Sequence, residues 1–91
     1  MLRSAPKDGV VTLTLNRADK KNALSIAVRD EMSDALDDLA GDGAVKSVVV
    51  TGAGNVFSAG FDLREFRQPE LTDRLWASSD RFHATVLRFP L

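Results

Sequence analysis

The chain contains no cysteine, which removes disulfide frameworks, thiolate nucleophiles and cysteine-ligated metals. Its single histidine, His83, cannot build a histidine-cluster metal site. Charge of one sign is not in excess: 12 Lys+Arg stand against 13 Asp+Glu, a formal net charge of −1. That balance leaves no electrostatic footprint for nucleic acid. No apolar run approaches the ~20 residues needed to span a bilayer. The first fifteen residues carry Arg3 and Lys7 without the apolar centre of a signal peptide. These absences predict a protein of the cytoplasm, or of an organelle matrix if a targeting segment has been removed, with neither nucleic acid nor membrane as partner.

What is present is ordinary for a folded domain: 44% hydrophobic and 27% charged residues in 91 positions, room for one small domain. Residues 10–15 alternate, with Val11, Leu13 and Leu15 on one face and Val10, Thr12 and Thr14 on the other. Period two with β-branched residues predicts a half-buried strand. The polar run from Asn16 to Asn22 ends it as a loop. Ser25 is placed to cap a helix over 25–40, whose stripe is Val28, Met32, Ala35, Leu36 and Leu39, with Gly41 and Gly43 as its stop. The six acids between Asp30 and Asp42 read as a solvated helix face. Residues 46–51 predict a second strand, and consecutive Val48, Val49 and Val50 predict cover on both of its faces. Strand, helix, strand with short connections is an α/β unit with parallel pairing.

Residues 52–66 hold three glycines within nine positions, so the backbone there turns sharply or approaches something closely. A dinucleotide fingerprint fails because Phe57 stands where a third glycine is needed, and a phosphate-binding P-loop fails because Gly60-Phe61-Asp62 replaces Gly-Lys-Ser/Thr. Asp62 and Glu65 fit a capping box that opens a short helix over 63–67. A further helix over 72–88 has Leu75, Ser79, Phe82 and Val86 as its stripe, flanked by Trp76, His83 and Leu87. His83 reads as structural. Free amides at a glycine turn leading into a helix could stabilise an oxyanion, or the segment could be a plain connection.

Two blocks resemble the crotonase, or enoyl-CoA hydratase/isomerase, superfamily. The first runs from Leu13 through Asn16-Arg17-Ala18 to Asn22-Ala23-Leu24-Ser25, similar to the family's LNRP strand end, basic loop and NAL. The second runs from Val48 through Thr51-Gly52 to Phe57-Ser58-Ala59-Gly60-Phe61-Asp62-Leu63, similar to its TG turn and F-[SC]-A-G-x-D-[LI] signature. Ala18 departs from the usual proline. The resemblance implies the N-terminal third of a crotonase-like ββα spiral, a single incomplete domain over 1–91, with a mainly parallel sheet and flanking helices. It implies that the backbone amide of Phe61 is an oxyanion-hole donor. Ala59, Gly60, Phe61, Asp62 and Leu63 would hold coenzyme A, with Ala23 and Leu24 as the other wall. Lys20 and Lys21, with Arg17, would meet its phosphates, or would simply stand in a solvated loop.

The implied activity is that of an enoyl-CoA hydratase-like enzyme, with isomerisation, another acyl-CoA reaction or a non-catalytic remnant as alternatives. Coenzyme A enters as the substrate's thioester, and neither a further cofactor nor a metal is implied. Trimers or hexamers are the implied assembly. The acid/base glutamates and the second oxyanion donor would lie beyond Leu91. Asp62 reads as a cap rather than a catalytic acid, and Glu65 and Glu70 are not favoured as bases. Because the 46–51 strand would lack its next neighbour, the isolated chain is expected to be marginally stable or associated, with apolar surface or a strand edge exposed. Sedimentation with urea unfolding checks this: a dilute monomer unfolding cooperatively counts against it.

Overall fold

The computed structural model describes residues 1–87. Its elements are β1 (Leu2–Arg3), β2 (Val10–Leu15), α1 (Ile26–Ala40), β3 (Ser47–Gly52) and α2 (Thr72–Leu87). Single 3-10 turns lie at Ala18–Lys20, Glu65–Arg67 and Pro69–Leu71. The sheet order is β1-β2-β3. β2 pairs with β3 in parallel from Val10↔Ser47 to Leu15↔Gly52, while β1 adds a short antiparallel edge at Leu2↔Thr14 and Arg3↔Leu13. A parallel pair needs a crossover, and α1 supplies it.

The alternation of β2 is realised in burial: Val11, Leu13 and Leu15 are buried, and they pack with Met32, Ala35, Leu36 and Leu39 of α1. Ser25 caps α1 as its sequence position predicts, its Oγ accepting the Val28 N–H at 3.2 Å. The loop before it has two successive left-handed residues, Lys21 at φ 53° and Asn22 at φ 54°. Asparagine tolerates that conformation because its short polar side chain bonds locally.

Three expectations are corrected. β3 is covered on one face only: Val48 and Val50 pack against the core, whereas Val49 is 49% exposed. The molecule measures 43 × 28 × 14 Å, a slab too thin for a layer on each side of the sheet. The short helix expected over 63–67 is one 3-10 turn, Glu65–Arg67. Its capping box does not form, because Arg64 occupies the Asp62 carboxylate and the Glu65 carboxylate turns to α1.

The third correction concerns α2, which buries Leu75, Ser78 and Thr85 and half-buries Phe82, leaving Trp76, His83, Val86 and Leu87 exposed. The face of α1 that meets it is polar. Asp30 accepts from the Ser78 hydroxyl at 3.0 Å, and Asp34 and Asp37 accept from Arg81 at 2.6 and 3.1 Å. Part of the acidic run is therefore a helix–helix seam. The residues expected to end the last helix and begin a further strand, from Arg88 through Phe89-Pro90-Leu91, lie outside the described residues. No described helix is long and apolar enough to cross a membrane.

Leu13→Ala removes a fully buried side chain between sheet and helix and should cost about 2–5 kcal/mol. Val49→Thr on the uncovered face should change stability by less than about 0.5 kcal/mol. Urea midpoints of the two variants test the one-sided core directly.

Candidate functional site

The site is built where the two motif blocks meet, and the side chain that joins them is Asn22. It is 1% exposed. Its Oδ1 accepts the Arg17 N–H at 2.8 Å, and its Nδ2 donates to the carbonyls of Ala53 at 2.9 Å and Val56 at 2.7 Å. Its own carbonyl accepts the Ser58 hydroxyl at 2.8 Å, and Ser58 Oγ in turn accepts the Gly60 N–H at 3.0 Å. Gly52 allows this closeness. A Cβ there would lie 2.7 Å from Asn22 Nδ2 and 2.8 Å from Phe57 Cα, so only glycine fits.

The backbones then run side by side. The Ala59 N–H donates to the Lys21 carbonyl at 2.9 Å, the Leu24 N–H donates to the Gly60 carbonyl at 2.8 Å, and Leu24 and Phe61 form an isolated parallel bridge. Gly60 adopts φ 90°, open to glycine alone without strain. The Gly60 carbonyl and the Phe61 N–H belong to one planar trans peptide and point in opposite directions. With the carbonyl held by Leu24, the Phe61 N–H faces away from Leu24, and it has no acceptor among the described residues. The Phe61 ring stacks on Phe66 with centroids 6.4 Å apart and lies over the Arg29 guanidinium, 4.2 Å from Cζ.

A groove of about 360 Å³ opens over this bridge, lined by Asp19, Lys20, Lys21, Ala23, Ala59, Phe61, Asp62, Leu63 and Arg64. It collects Lys20, Lys21, Ala23, Ala59, Phe61, Asp62 and Leu63 of the residues singled out in the sequence. Gly60 is not in the groove lining; its carbonyl instead accepts the Leu24 N–H beneath it. Leu24 instead lines a separate apolar groove of about 500 Å³ with Leu36, Val48, Val50, Phe57 and Phe82. Arg17 is drawn away, donating to Ser25 Oγ at 3.1 Å beside the start of α1. Arg64 takes the place expected of Arg17 at the groove.

Two of the acids near the groove, Asp62 and Glu65, are engaged. Asp62 is buried, and its two oxygens accept from the Arg64 guanidinium at 3.1 and 2.8 Å. Those bonds hold its carboxyl below the usual range. Burial opposes this, while the Arg64 backbone N–H and the charges of Arg64 and Arg17 reinforce it. The Glu65 Oε1 accepts the Ile26 N–H at 2.9 Å, capping α1 from outside. Glu70 lies exposed in the 3-10 turn at Pro69–Leu71. Among the described residues no group of three or more His, Cys, Asp or Glu is placed to hold a metal. The arrangement offers one outward-facing amide at a glycine turn beside a groove edged with cations, a geometry suited to a polarised carbonyl on an anionic carrier. Asn22, Arg29 and Arg64 escaped the sequence reading. Only Asn22 left a local signal, a turn-forming residue at the end of a polar loop.

Comparison with known proteins agrees with this geometry. The enoyl-CoA hydratase/isomerase family profile matches residues 5–90. Hydroxycinnamoyl-CoA hydratase-lyase of Pseudomonas fluorescens is 43% identical over 60 residues, 66% of this chain and 22% of that protein. 4-Chlorobenzoyl coenzyme A dehalogenase-2 of an Arthrobacter species is 48% identical over 58 residues, 64% of this chain and 21% of that protein. An enoyl-CoA hydratase crystal structure from Mycobacterium smegmatis superposes with a TM-score of 0.86 at 38% identity, covering 98% of this chain and 36% of that one. The chain spans about a fifth of the length of the two curated relatives.

Asn22→Ala removes three side-chain hydrogen bonds and should cost about 2–4 kcal/mol, read as a lowered urea midpoint. The depressed Asp62 carboxyl stabilises the fold above its ordinary value of 3.8, and this contribution fades as the pH falls below 3.8 through the lower folded value. Asp62→Asn should therefore flatten the acid limb of stability measured by urea unfolding from neutral to strongly acidic pH. An unchanged acid limb contradicts the assignment.

Proposed function

The chain belongs to the enoyl-CoA hydratase/isomerase family, and on that premise we propose that it forms the acyl-CoA-binding wall of an enoyl-CoA hydratase-like site. The observation that carries this reading is the Gly60–Phe61 peptide, its carbonyl pinned by Leu24 and its N–H turned outward without an intramolecular acceptor among the described residues. A thioester carbonyl accepting from that amide becomes more electron-withdrawing, which polarises the C2–C3 double bond toward addition of water. The negative charge that develops on oxygen in the thioester enolate is stabilised by a donor already in place. Lys20 and Lys21, exposed at the rim of the groove, offer charge-assisted hydrogen bonds to coenzyme A phosphates. Ala23 and Ala59 line the groove without bulk, and the exposed Leu63 edges it beside the buried Asp62.

Hydration of a trans-2-enoyl-CoA is the parent reaction of this reading. Double-bond isomerisation passes through the same enolate and needs the same amide. The coenzyme A thioester is itself the substrate, so the chemistry of this wall calls on no further cofactor. The reading includes assembly into trimers or hexamers and a cytoplasmic location. The exposed Val49 and the apolar groove beside β3 are the surfaces that association would cover.

A specific observation favours binding without turnover by these 91 residues alone. Glu65 is committed to α1 and Asp62 to Arg64. A missing oxyanion donor commonly lowers rate by about 10²–10³, and missing positioned acid/base chemistry by a further ~10²–10⁴. The expected result is weak, salt-sensitive coenzyme A binding by calorimetry, weakened further in Lys20→Ala and Lys21→Ala, with no hydration of crotonyl-CoA in a spectrophotometric assay. Turnover near that of an ordinary hydratase places a working carboxylate within these residues. Absent coenzyme A binding overturns the reading.

A further inference from the structure

Arg29 is the largest fully buried side chain among the described residues, at 0% exposure at the end of the first turn of α1. Its Nη1 donates to the Leu24 carbonyl at 2.8 Å, and its Nε donates to Ser78 Oγ at 3.3 Å. Ser78 passes its own hydrogen to Asp30 Oδ1 at 3.0 Å, tying the cation to an acid of its own helix through α2. The Phe61 ring covers the guanidinium at 4.2 Å. Burial lowers the Arg29 pKa, while the charges of Glu65 and Asp30 work against that shift. Its Nη2 is buried with no partner among the described residues. An unpaired donor of this kind is destabilising, and an apolar side chain of similar volume avoids that penalty. Core packing alone is therefore a poor account of an arginine at this position.

What the guanidinium does, and a methionine cannot, is hold both members of the Leu24–Phe61 bridge together. One nitrogen fixes the Leu24 carbonyl. The Leu24 N–H fixes the Gly60 carbonyl at 2.8 Å. Peptide planarity carries that constraint to the Phe61 N–H on the opposite side. The flat face of the same guanidinium holds the Phe61 ring. Gly60, at φ 90°, is the residue whose freedom makes such restraint necessary, because glycine opposes peptide rotation less than any other residue.

We propose that Arg29 is a positioning residue that sets the direction of the Phe61 amide, acting through the Leu24 carbonyl and the Phe61 ring. It touches no substrate. For its part in carbonyl polarisation, the proposal rests on the acyl-CoA reading above.

The test uses the whole chain with Arg29→Met and Arg29→Lys. Amide hydrogen exchange by NMR is followed at Leu24, at Phe61 and along Val10–Leu15. Raman difference spectroscopy reads the thioester carbonyl of bound cinnamoyl-CoA, and calorimetry gives the dissociation constant of coenzyme A. In Arg29→Met, Leu24 exchange should rise on the order of tenfold relative to the β2 amides, as expected for a weakened hydrogen-bond chain. The carbonyl red shift on binding should fall by about half or more while the coenzyme A dissociation constant moves by less than about threefold, because the carrier contacts lie elsewhere. Should Arg29→Met fail to fold, Arg29→Lys decides. A single ammonium cannot span Leu24 and Ser78 while lying flat beneath a ring, so the same local loss at Leu24 is expected with β2 protection retained. Equal acceleration at Leu24 and throughout β2 reduces Arg29 to a stabilising residue and overturns the proposal, as does wild-type Leu24 exchange in Arg29→Lys. If the wild-type chain binds no coenzyme A, the functional reading fails, and the exchange data still decide whether Arg29 orients Phe61.

Discussion

The carboxamide of Asn22 is the constraint on which the site depends. It accepts from one loop and donates twice into another, and its backbone carbonyl receives Ser58. A buried amide with its donors and acceptor engaged is stabilising only while every partner stays in place. The loop after β2 and the loop after β3 therefore fix each other. Side-by-side pairing of residues 21–24 with 59–61 follows from that junction, and the outward turn of the Phe61 N–H follows from the pairing. The absence of a side chain at Gly52 is equally structural, since it lets the carboxamide and the Phe57 backbone approach the end of β3.

Beneath the junction lies a second layer of polar order. Arg29, Ser78 and Asp30 link α1 to α2 in a seam where two apolar stripes would be the simpler solution. Arg81 extends the seam at the surface by reaching Asp34 and Asp37. Exposed pairs of that kind contribute little to stability, but they select which face of α2 turns inward. The result is a helix with Trp76 and Leu87 outward and Ser78 and Thr85 inward. Burying hydroxyls costs little when they are hydrogen-bonded, and Ser78 both accepts from Arg29 and donates to Asp30.

The sheet is balanced differently. Its inner face is a conventional apolar core around Val11, Leu13 and Leu15, and its outer face at Val49 has no layer upon it. The apolar groove bounded by β3, α1, α2 and Phe57 continues this asymmetry. The chain spans about a third of the solved enoyl-CoA hydratase from Mycobacterium smegmatis on which it superposes. The site occupies the rim of the sheet rather than its centre, at the end of β3 where the backbone leaves the strand, a usual place for functional loops carried by a rigid scaffold.

The sequence by itself determined the local features. The alternation in β2, the Ser25 cap, the α1 stripe and the position of the glycine segment depend on neighbours within one or two turns, and composition and spacing encode such neighbours directly. The motif blocks also named most of the groove, including Lys20, Lys21, Ala23, Ala59, Phe61, Asp62 and Leu63. Tertiary structure alone decided the rest. Asn22 finds the Ala53 carbonyl 31 positions away, Glu65 finds Ile26 across 39, and Arg29 finds Ser78 across 49. Each of these polar groups has a plausible local role in the sequence, as a turn former, a capping-box member or a surface cation. Glu65 and Arg29 leave that role and Asn22 adds long-range bonds to it, because the partner that folding brings near governs where a buried polar side chain points. The same contest turned α2 about its axis and reduced a predicted helix to one 3-10 turn.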